Sequence, residues 1–342
     1  MPPTSRIGNY MSEPTPEEVN RLLLLYQGLY SHFVTKTSTE KPLLLAHYTS
    51  VQVVEQIVKH EELWFSNPLY MNDLEEMRLG ILLGSQLFPR FAQQASNDED
   101  QVRRLIEYFN HYITHLATET ALDTYVFCLS EHDPKDTDGL LSMWREYGSK
   151  GNGAALVFNT QKIRYQPHSP LLIAKVVYAS SADRTKELEA RLADWARITL
   201  ESNIPADRLY LAAYAAFNFV KSLALTTKHR GFSEEREWRV IYVPERDPLG
   251  YFKGQLDYFV GPRGVEPKLK FKFGATNLPQ DKRSAEPLTS RNLSEIMEFI
   301  LLGPSISSPL ARLAFIRMLE RNNKANFANR VFSSTIPLRP QL

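Results

Sequence analysis

The stretch that most constrains the fold of this chain is residues 232–243, Phe-Ser-Glu-Glu-Arg-Glu-Trp-Arg-Val-Ile-Tyr-Val. Its second half is rich in β-branched and aromatic residues, which favours a strand. Successive side chains of a strand point to opposite faces. One face is apolar and should pack on a core; it holds Trp238, Val240 and Tyr242. The other face is mostly charged; it holds Glu235, Glu237, Arg239 and Ile241.

The charged face of this strand has two interpretations. Charged side chains are rarely buried unless they are paired. In the structural interpretation, an Arg–Glu pair stabilises the edge of a sheet. In the functional one, a carboxylate is held on a rigid strand at the wall of a cleft, and Arg239 fixes its orientation. The sequence leaves both open at this point.

The composition is that of a globular protein without a dominant charge. The 342 residues suffice for one large or two ordinary domains, with 43% apolar and 23% charged residues. A net charge of +1 creates no overall field for nucleic acid or membrane. The single cysteine, Cys128, excludes an internal disulfide framework and suits a reducing cytoplasm. We also expect neither a signal peptide nor an apolar run approaching the roughly 20 residues of a membrane span.

The pattern of elements predicts an N-terminal helix and linker over residues 1–42, then a single α+β domain over 43–342. Thr15 and Pro16 are typical of a helix start. Strands and helices are mixed without a regular βαβ rhythm, which favours a mixed sheet with flanking helices. Helices at about 182–202 and 206–227 are predicted to form an inserted hairpin. Residues 269–273 alternate as an exposed or edge strand does. Further strands are predicted at 43–48, 62–66, 124–130, 153–158, 172–178, 297–302 and 330–336.

Candidate functional residues lie at the ends of these strands, where binding groups are usually placed. The sequence contains no GxxxxGK[ST], GxSxG or HExxH motif. The candidate segments are His47-Tyr48-Thr49, Ser66-Asn67, Asn72-Asp73, Ser130-Glu131, Trp144 with Tyr147, and Glu235, Glu237 and Arg239.

Most of these residues also have a structural interpretation. Thr49 fits the N-cap of the helix that begins at Val51, His47 fits a core histidine, and Asn72 fits a helix cap. His111 and His115 are spaced to share a metal, although this pattern is more typical of a solvated helix face. We assign no metal site. The acidic pair Glu235 and Glu237 is the hardest to explain as structure alone.

The motifs resemble a large bacterial family of unknown function over residues 44–339. They are His47-Tyr48-Thr49, Leu63 to Asn67, Met71-Asn72-Asp73, Phe127 to Glu131, Met143 to Tyr147, Phe232 to Arg239, Leu302-Gly303-Pro304 and Ile336 to Arg339. A His-Tyr on the first strand, a Ser-Asn on the next and a late E-x-E also resemble the ADP-ribosyltransferase superfamily. That resemblance implies a central sheet split in two, with NAD⁺ bound in the cleft between its halves.

The same resemblance implies roles for individual residues. His47 would hydrogen-bond a ribose hydroxyl of NAD⁺, and Tyr48 or Tyr70 would stack on nicotinamide. Glu237 would hold the 2′-hydroxyl of the nicotinamide ribose and stabilise the oxocarbenium ion by its charge. Glu235 would face the acceptor. The other residues assigned to NAD⁺ binding are Thr49, Ser66, Asn67, Asn72 and Arg239.

Three functions follow as hypotheses. The first is an NAD-dependent ADP-ribosyltransferase or NAD glycohydrolase, acting as a toxin or phage-defence effector, with NAD⁺ as substrate and a protein or nucleic acid as acceptor. The second is a non-catalytic module that binds a nucleotide or nucleic acid. The basic segment 263–291 favours this hypothesis. The third is a metal-dependent nuclease that uses Asp73, Glu235 and Glu237.

Overall fold

The computed structural model describes residues 15–30, 43–71, 74–118, 120–163, 169–247, 250–261, 264–273 and 292–338. Its helices are α1 (Pro16–Leu25), α2 (Val51–His60), α3 (Leu74–Ala95), α4 (Glu99–Ala117), α5 (Leu141–Glu146), α6 (Ser181–Glu201), α7 (Leu209–Thr226), α8 (Leu293–Ile296) and α9 (Pro309–Arg321). Its strands are β1 (Leu44–Ser50), β2 (Glu62–Ser66), β3 (Tyr125–His132), β4 (Gly153–Asn159), β5 (Leu171–Lys175), β6 (Val177–Ala179), β7 (Thr227–His229), β8 (Glu237–Tyr242), β9 (Leu256–Gly261), β10 (Gly264–Lys272), β11 (Met297–Leu302) and β12 (Val331–Ser333). The α+β prediction is confirmed.

The main sheet forks at β3. One edge of β3 pairs with β8, which pairs in turn with β5. The opposite edge meets β2 near its start, where Val126 faces Ser66, and β1 near its end, where Ser130 faces Ala46. One arm of the fork then runs β1-β4-β11-β12 and the other runs β2-β10-β9. The pairing is antiparallel apart from β11 with β12 and the small separate pair β6 with β7.

The two faces of β8 follow the predicted alternation. Trp238 and Tyr242 are buried in the core between the sheet, α2 and α9, and Val240 is partly buried beside them. On the opposite face, Ile241 packs near α7, and Arg239 donates a hydrogen bond from Nη1 to the carbonyl of Leu225 at 2.7 Å. β8 therefore separates a largely apolar core from a face that contains a buried guanidinium.

The prediction that Glu235 lies on this strand is wrong. Residues 230–235 form a short 3₁₀ turn, and the strand begins only at Glu237. Arg236 between them adopts a left-handed conformation with φ of 47°. This residue interrupts the alternation that the sequence suggests, because side chains alternate only where the backbone is extended.

Five helices, α1, α3, α4, α6 and α7, form the helical layer. α6 and α7 follow each other as predicted, but each packs mainly on α3 or α4 and much less on the other. α1 packs on α7, and Tyr26 and Leu29 share its core, so the N-terminal helix joins this layer. Thr15 caps α1, as predicted, by accepting a hydrogen bond from the backbone N–H of Glu18.

α7 is apolar on all sides because it lies at the centre of the helical layer. Among the described helices, Ala206–Thr226 is the segment long and apolar enough to cross a membrane, contrary to the sequence expectation. However, 89% of this segment is buried inside the protein. Its composition is thus explained by packing against α1, α3 and α4.

Three local predictions are corrected by the structure. Ser50, not Thr49, caps α2 by accepting a hydrogen bond from the backbone N–H of Val53. Residues 269–272 belong to an interior strand, since β10 lies between β2 and β9 and buries Leu269. The predicted strand at 172–178 is two strands, β5 and β6. Much of the basic segment 263–291 lies outside the described residues.

Candidate functional site

A cleft of about 460 Å³ opens in the fork between β1 and β2, within the size range of small-molecule sites. Its walls come from β1, β2, β3, α5 and the segment from Lys228 to Glu237. The structure brings together here the predicted residues His47, Tyr48, Thr49, Ser66, Tyr70, Glu235 and Glu237. They converge because β1 and β2 diverge from each other along one edge of β3. Asn72 and Asp73 lie outside the described residues.

His47 closes the base of the cleft, at the part of the β3 edge that pairs with neither β1 nor β2. Its Nδ1 lies 3.0 Å from the carbonyl oxygen of Cys128, and its ring stacks on Phe127 with the centroids 4.4 Å apart. Because a carbonyl only accepts, Nδ1 must carry the proton and Nε2 is the acceptor nitrogen of the ring. Burial lowers the pKa of His47, although the hydrogen bond to Cys128 opposes the shift. His47 is therefore a neutral imidazole near physiological pH.

Glu237 is held as a carboxylate by two cations. Arg239 binds it in a bidentate manner, with Nε 2.8 Å from Oε1 and Nη2 3.1 Å from Oε2, and Lys228 Nζ lies 3.4 Å from Oε2. Only 7% of the Glu237 side chain is exposed. Burial alone would raise its pKa, but the charges of Arg239 and Lys228 outweigh it and hold the pKa of Glu237 below its usual value.

Glu235 lies in a different environment although it shares Lys228 with Glu237. Its Oε2 accepts from Lys228 Nζ at 2.6 Å, and its Oε1 accepts from the hydroxyl of Tyr147 at 3.1 Å. Burial raises the pKa of Glu235, the neighbouring charge of Glu237 adds to the rise, and Lys228 only partly opposes it. The two carboxyl groups thus have pKa values shifted in opposite directions, a pattern found where one group stays ionised and the other exchanges a proton.

Lys228 and Tyr147 complete this site. Lys228 lies on β7, just after α7, is only 2% exposed, and contacts both carboxylates. Sequence reasoning did not identify Lys228, and it noted Tyr147 without assigning it a role. The usable signal was that two adjacent buried carboxylates require more than one cation. Nothing local in the sequence shows which lysine supplies the second charge.

The opposite wall of the cleft offers hydroxyl and aromatic groups. The hydroxyl of Ser66 accepts from Lys268 Nζ at 2.9 Å, which fixes its position on β2. The Tyr70 side chain is 37% exposed and forms part of the entrance. Tyr48, by contrast, is buried edge-on against Trp144, so Tyr70 is the better placed of the two rings for stacking.

Two predicted binding residues do not line the cleft. Asn67 is fully buried, and its side-chain amide donates to the carbonyls of Ala121 and Thr124, so it fastens the end of β2. Arg239 lies behind Glu237 and holds it by a bidentate pair, which the structural and the functional interpretation of the strand both include. Within the part of the chain that the structure describes, no group of three His, Cys, Asp or Glu residues could hold a metal ion.

Comparison with protein families finds a match to part of the chain. The model of a family described as "Protein of unknown function (DUF2971)" matches residues 143–240, which span α5 through most of β8. This segment contains Tyr147, Lys228, Glu235, Glu237 and Arg239. No curated protein and no solved structure matches the chain.

Proposed function

We propose that the cleft binds NAD⁺ and breaks its bond between nicotinamide and ribose, as an NAD glycohydrolase or an ADP-ribosyltransferase does. The observation that supports this most is the pair Glu235 and Glu237, whose pKa values are shifted in opposite directions at one wall of a forked sheet. Breaking an N-glycosidic bond of this kind requires both a fixed negative charge and a group that takes a proton. The resemblance to the ADP-ribosyltransferase superfamily points to the same chemistry.

In the proposed reaction, the bond between ribose C1′ and the nicotinamide nitrogen breaks, and nicotinamide leaves with the bonding electrons. The oxocarbenium ion that remains is stabilised by the charge of Glu237, which Arg239 and Lys228 hold in place. Water or the hydroxyl of an acceptor then attacks C1′, and its proton passes to Glu235. With water, the products are ADP-ribose, nicotinamide and one proton.

The remaining groups of the cleft fit the binding of this substrate. The acceptor nitrogen of neutral His47 can take a hydrogen bond from a ribose hydroxyl. Tyr70 can stack on the nicotinamide ring, because aromatic faces attract a cationic ring. The hydroxyls of Thr49 and Ser66 add donors and acceptors for the second ribose or the phosphates.

A second candidate function is the binding of a nucleotide without catalysis. It is favoured by the observation that Arg239 and Lys228 together balance the charge of both carboxylates. Two carboxylates whose charge is already balanced stabilise an oxocarbenium ion less than one unbalanced carboxylate does. The two candidates share the cleft and differ only in whether a bond is broken.

The test is to incubate the purified full-length protein with NAD⁺, measure free nicotinamide by chromatography, and measure NAD⁺ binding by calorimetry. We expect saturable binding and steady release of nicotinamide. Binding without release would support the non-catalytic candidate. Absence of binding would overturn both, and a His47→Ala variant with wild-type affinity would show that NAD⁺ binds elsewhere.

The pH dependence provides a separate prediction. If Glu235 takes the proton, kcat/KM should rise with pH through the raised pKa of Glu235, above the usual value of about 4.3 for glutamate. A raised pKa means that the stability contributed by Glu235 is full below the unfolded-state pKa and is lost as the pH rises through the folded-state pKa. Activity should therefore rise over the same pH range in which the protein loses the stability contributed by Glu235.

The matched controls for this prediction are two glutamine variants. Glu235→Gln should remove both the acid limb of the rate profile and the associated change in stability. Glu201→Gln, at an exposed helix position, should keep both. An acid limb that survives in Glu235→Gln would assign the proton to another group.

A further inference from the structure

A second cavity of about 520 Å³ lies between the helical layer and the face of β8 that contains Arg239. Its volume lies within the range of small-molecule sites. Its wall is largely apolar and includes Leu23, Leu172, Leu225 and Ile241. The charged residues of the wall are Lys221, Glu245 and Arg246.

Two residues at this cavity have buried polar atoms without a hydrogen-bond partner among the described residues. Glu245 uses Oε1 to pair with Lys221 at 3.1 Å, but its Oε2 is buried and unpaired. Thr124 is only 3% exposed, and its hydroxyl is likewise unpaired. Leaving such groups unpaired is costly, and an occupant that supplies partners relieves that cost.

We propose that this cavity is a binding site for a largely apolar small molecule whose polar end donates a hydrogen bond, and that its occupant influences the cleft through Arg239. A carboxylate oxygen such as Oε2 of Glu245 needs a donor, and the hydroxyl of Thr124 can donate or accept. Although Lys221 and Arg246 also line the cavity, an anionic ligand offers no donor to the unpaired oxygen of Glu245. A buried ammonium would lose its hydration. An alcohol or amide group supplies a donor without a charge.

The position of the cavity gives the route to the cleft. Glu237, Arg239 and Ile241 share one face of β8; Glu237 lines the cleft and Ile241 lines the cavity. Arg239 lies between them and donates to the carbonyl of Leu225, another residue of the cavity wall. An occupant of the cavity therefore contacts Leu225 and Ile241, which flank the Arg239 guanidinium that orients Glu237.

Binding is tested with 1-octanol as probe, by calorimetry on the full-length protein. We expect one saturable site for octanol and much weaker binding of octanoate. Thr124→Val, a nearly isosteric change, should weaken octanol binding roughly two- to tenfold, the range of one net hydrogen bond. Two controls should keep the wild-type affinity: Thr160→Val, another buried threonine, and Tyr70→Ala, in the cleft.

Several results would overturn the site. No saturable binding would mean that water fills the cavity. Octanoate binding as tightly as octanol would contradict the requirement for a donor. Loss of affinity in Tyr70→Ala, with none in Thr124→Val, would place octanol in the cleft instead.

The influence on the cleft is tested without any assumption about its chemistry. Cys128, the single cysteine of the sequence, lines the cleft, and its reaction with 5,5′-dithiobis(2-nitrobenzoate) can be followed optically. Saturating octanol should change the reaction rate about fivefold or more, at the lower end of measured couplings between sites. In Thr124→Val, the octanol concentration that produces half of this rate change should rise by the same factor as the dissociation constant for octanol. An unchanged rate with octanol bound would overturn this part of the proposal.

Discussion

Arg239→Met should lower the free energy of unfolding by about 3–5 kcal/mol, the usual result of removing one partner of a buried ion pair. The reason is that Glu237 stays buried while it loses a bidentate partner. The carbonyl of Leu225 loses its donor as well. Because Lys228 still contacts Glu237, we expect the lower part of this range. Urea unfolding monitored by tryptophan fluorescence measures the change.

Two variants separate charge from packing in this experiment. The double variant Arg239→Met with Glu237→Leu removes both charges, and it should regain most of the lost stability because Lys228 keeps Glu235 as its partner. Arg197→Met, which breaks an exposed pair with Glu201, should change stability little. If the double variant is no more stable than Arg239→Met, the loss comes from packing and not from the unpaired carboxylate.

The same pair predicts a pH dependence. The pKa of Glu237 lies below its usual value, so its contribution to stability is present above the unfolded-state pKa and is lost as the pH falls through the folded-state pKa. In Arg239→Met, burial opposed only by Lys228 should raise the pKa of Glu237. The stability difference between wild type and variant should therefore shrink as the pH is lowered toward the usual pKa of glutamate.

Local patterns predicted those parts of the fold that depend on neighbouring residues. The strand of Trp238 and Tyr242, with its apolar and charged faces, follows from alternation alone. The N-cap at Thr15 follows from residue type and spacing. Thr49 and Ser50 show the limit of this reasoning, because both residues are good N-caps and only the backbone geometry decides between them.

The fork in the sheet could not be predicted in this way. The fork depends on where β1 and β2 pair along the same edge of β3. These pairings join residues that are far apart in sequence. Likewise, Glu235 was misplaced because a left-handed Arg236 has no local signal such as glycine. β10 was taken for an edge strand because its lysines alternate, yet Lys270 packs its ammonium over the Trp64 ring.

The candidate site was predicted only in part, because it too depends on residues that are far apart in sequence. Its residues were found where strand ends concentrate polar side chains, and the fold brings most of them to one cleft. The different surroundings of Glu235 and Glu237 could not be predicted, since they depend on Lys228 and Tyr147 from other elements. Opposite pKa shifts arise from three-dimensional surroundings and not from the two-residue spacing.

Glu237→Gln should reduce nicotinamide release by about 10²–10³-fold, the effect of losing one preorganised electrostatic group. NAD⁺ affinity should change little, because the amide oxygen still accepts a hydrogen bond from a ribose hydroxyl. The melting temperature should also fall, since Arg239 loses its counter-charge in a buried position. Glu18→Gln is the matched control: it deprives the buried Arg208 of a partner in the helical layer, so it should lose stability but keep full turnover. Wild-type turnover by folded Glu237→Gln would leave Glu237 a structural residue.

Glu235→Gln should lower hydrolysis by about 10²–10⁴-fold, the usual contribution of a general base. It should scarcely change the melting temperature, because burial already disfavours the charge of Glu235 and Lys228 retains Glu237. Azide separates the two carboxylates, since this nucleophile attacks C1′ without giving up a proton. Added azide should restore nicotinamide release in Glu235→Gln, with azido-ADP-ribose as product, and should fail to do so in Glu237→Gln. Rescue of both variants, or of neither, would contradict the assignment of the proton to Glu235 and of the charge to Glu237.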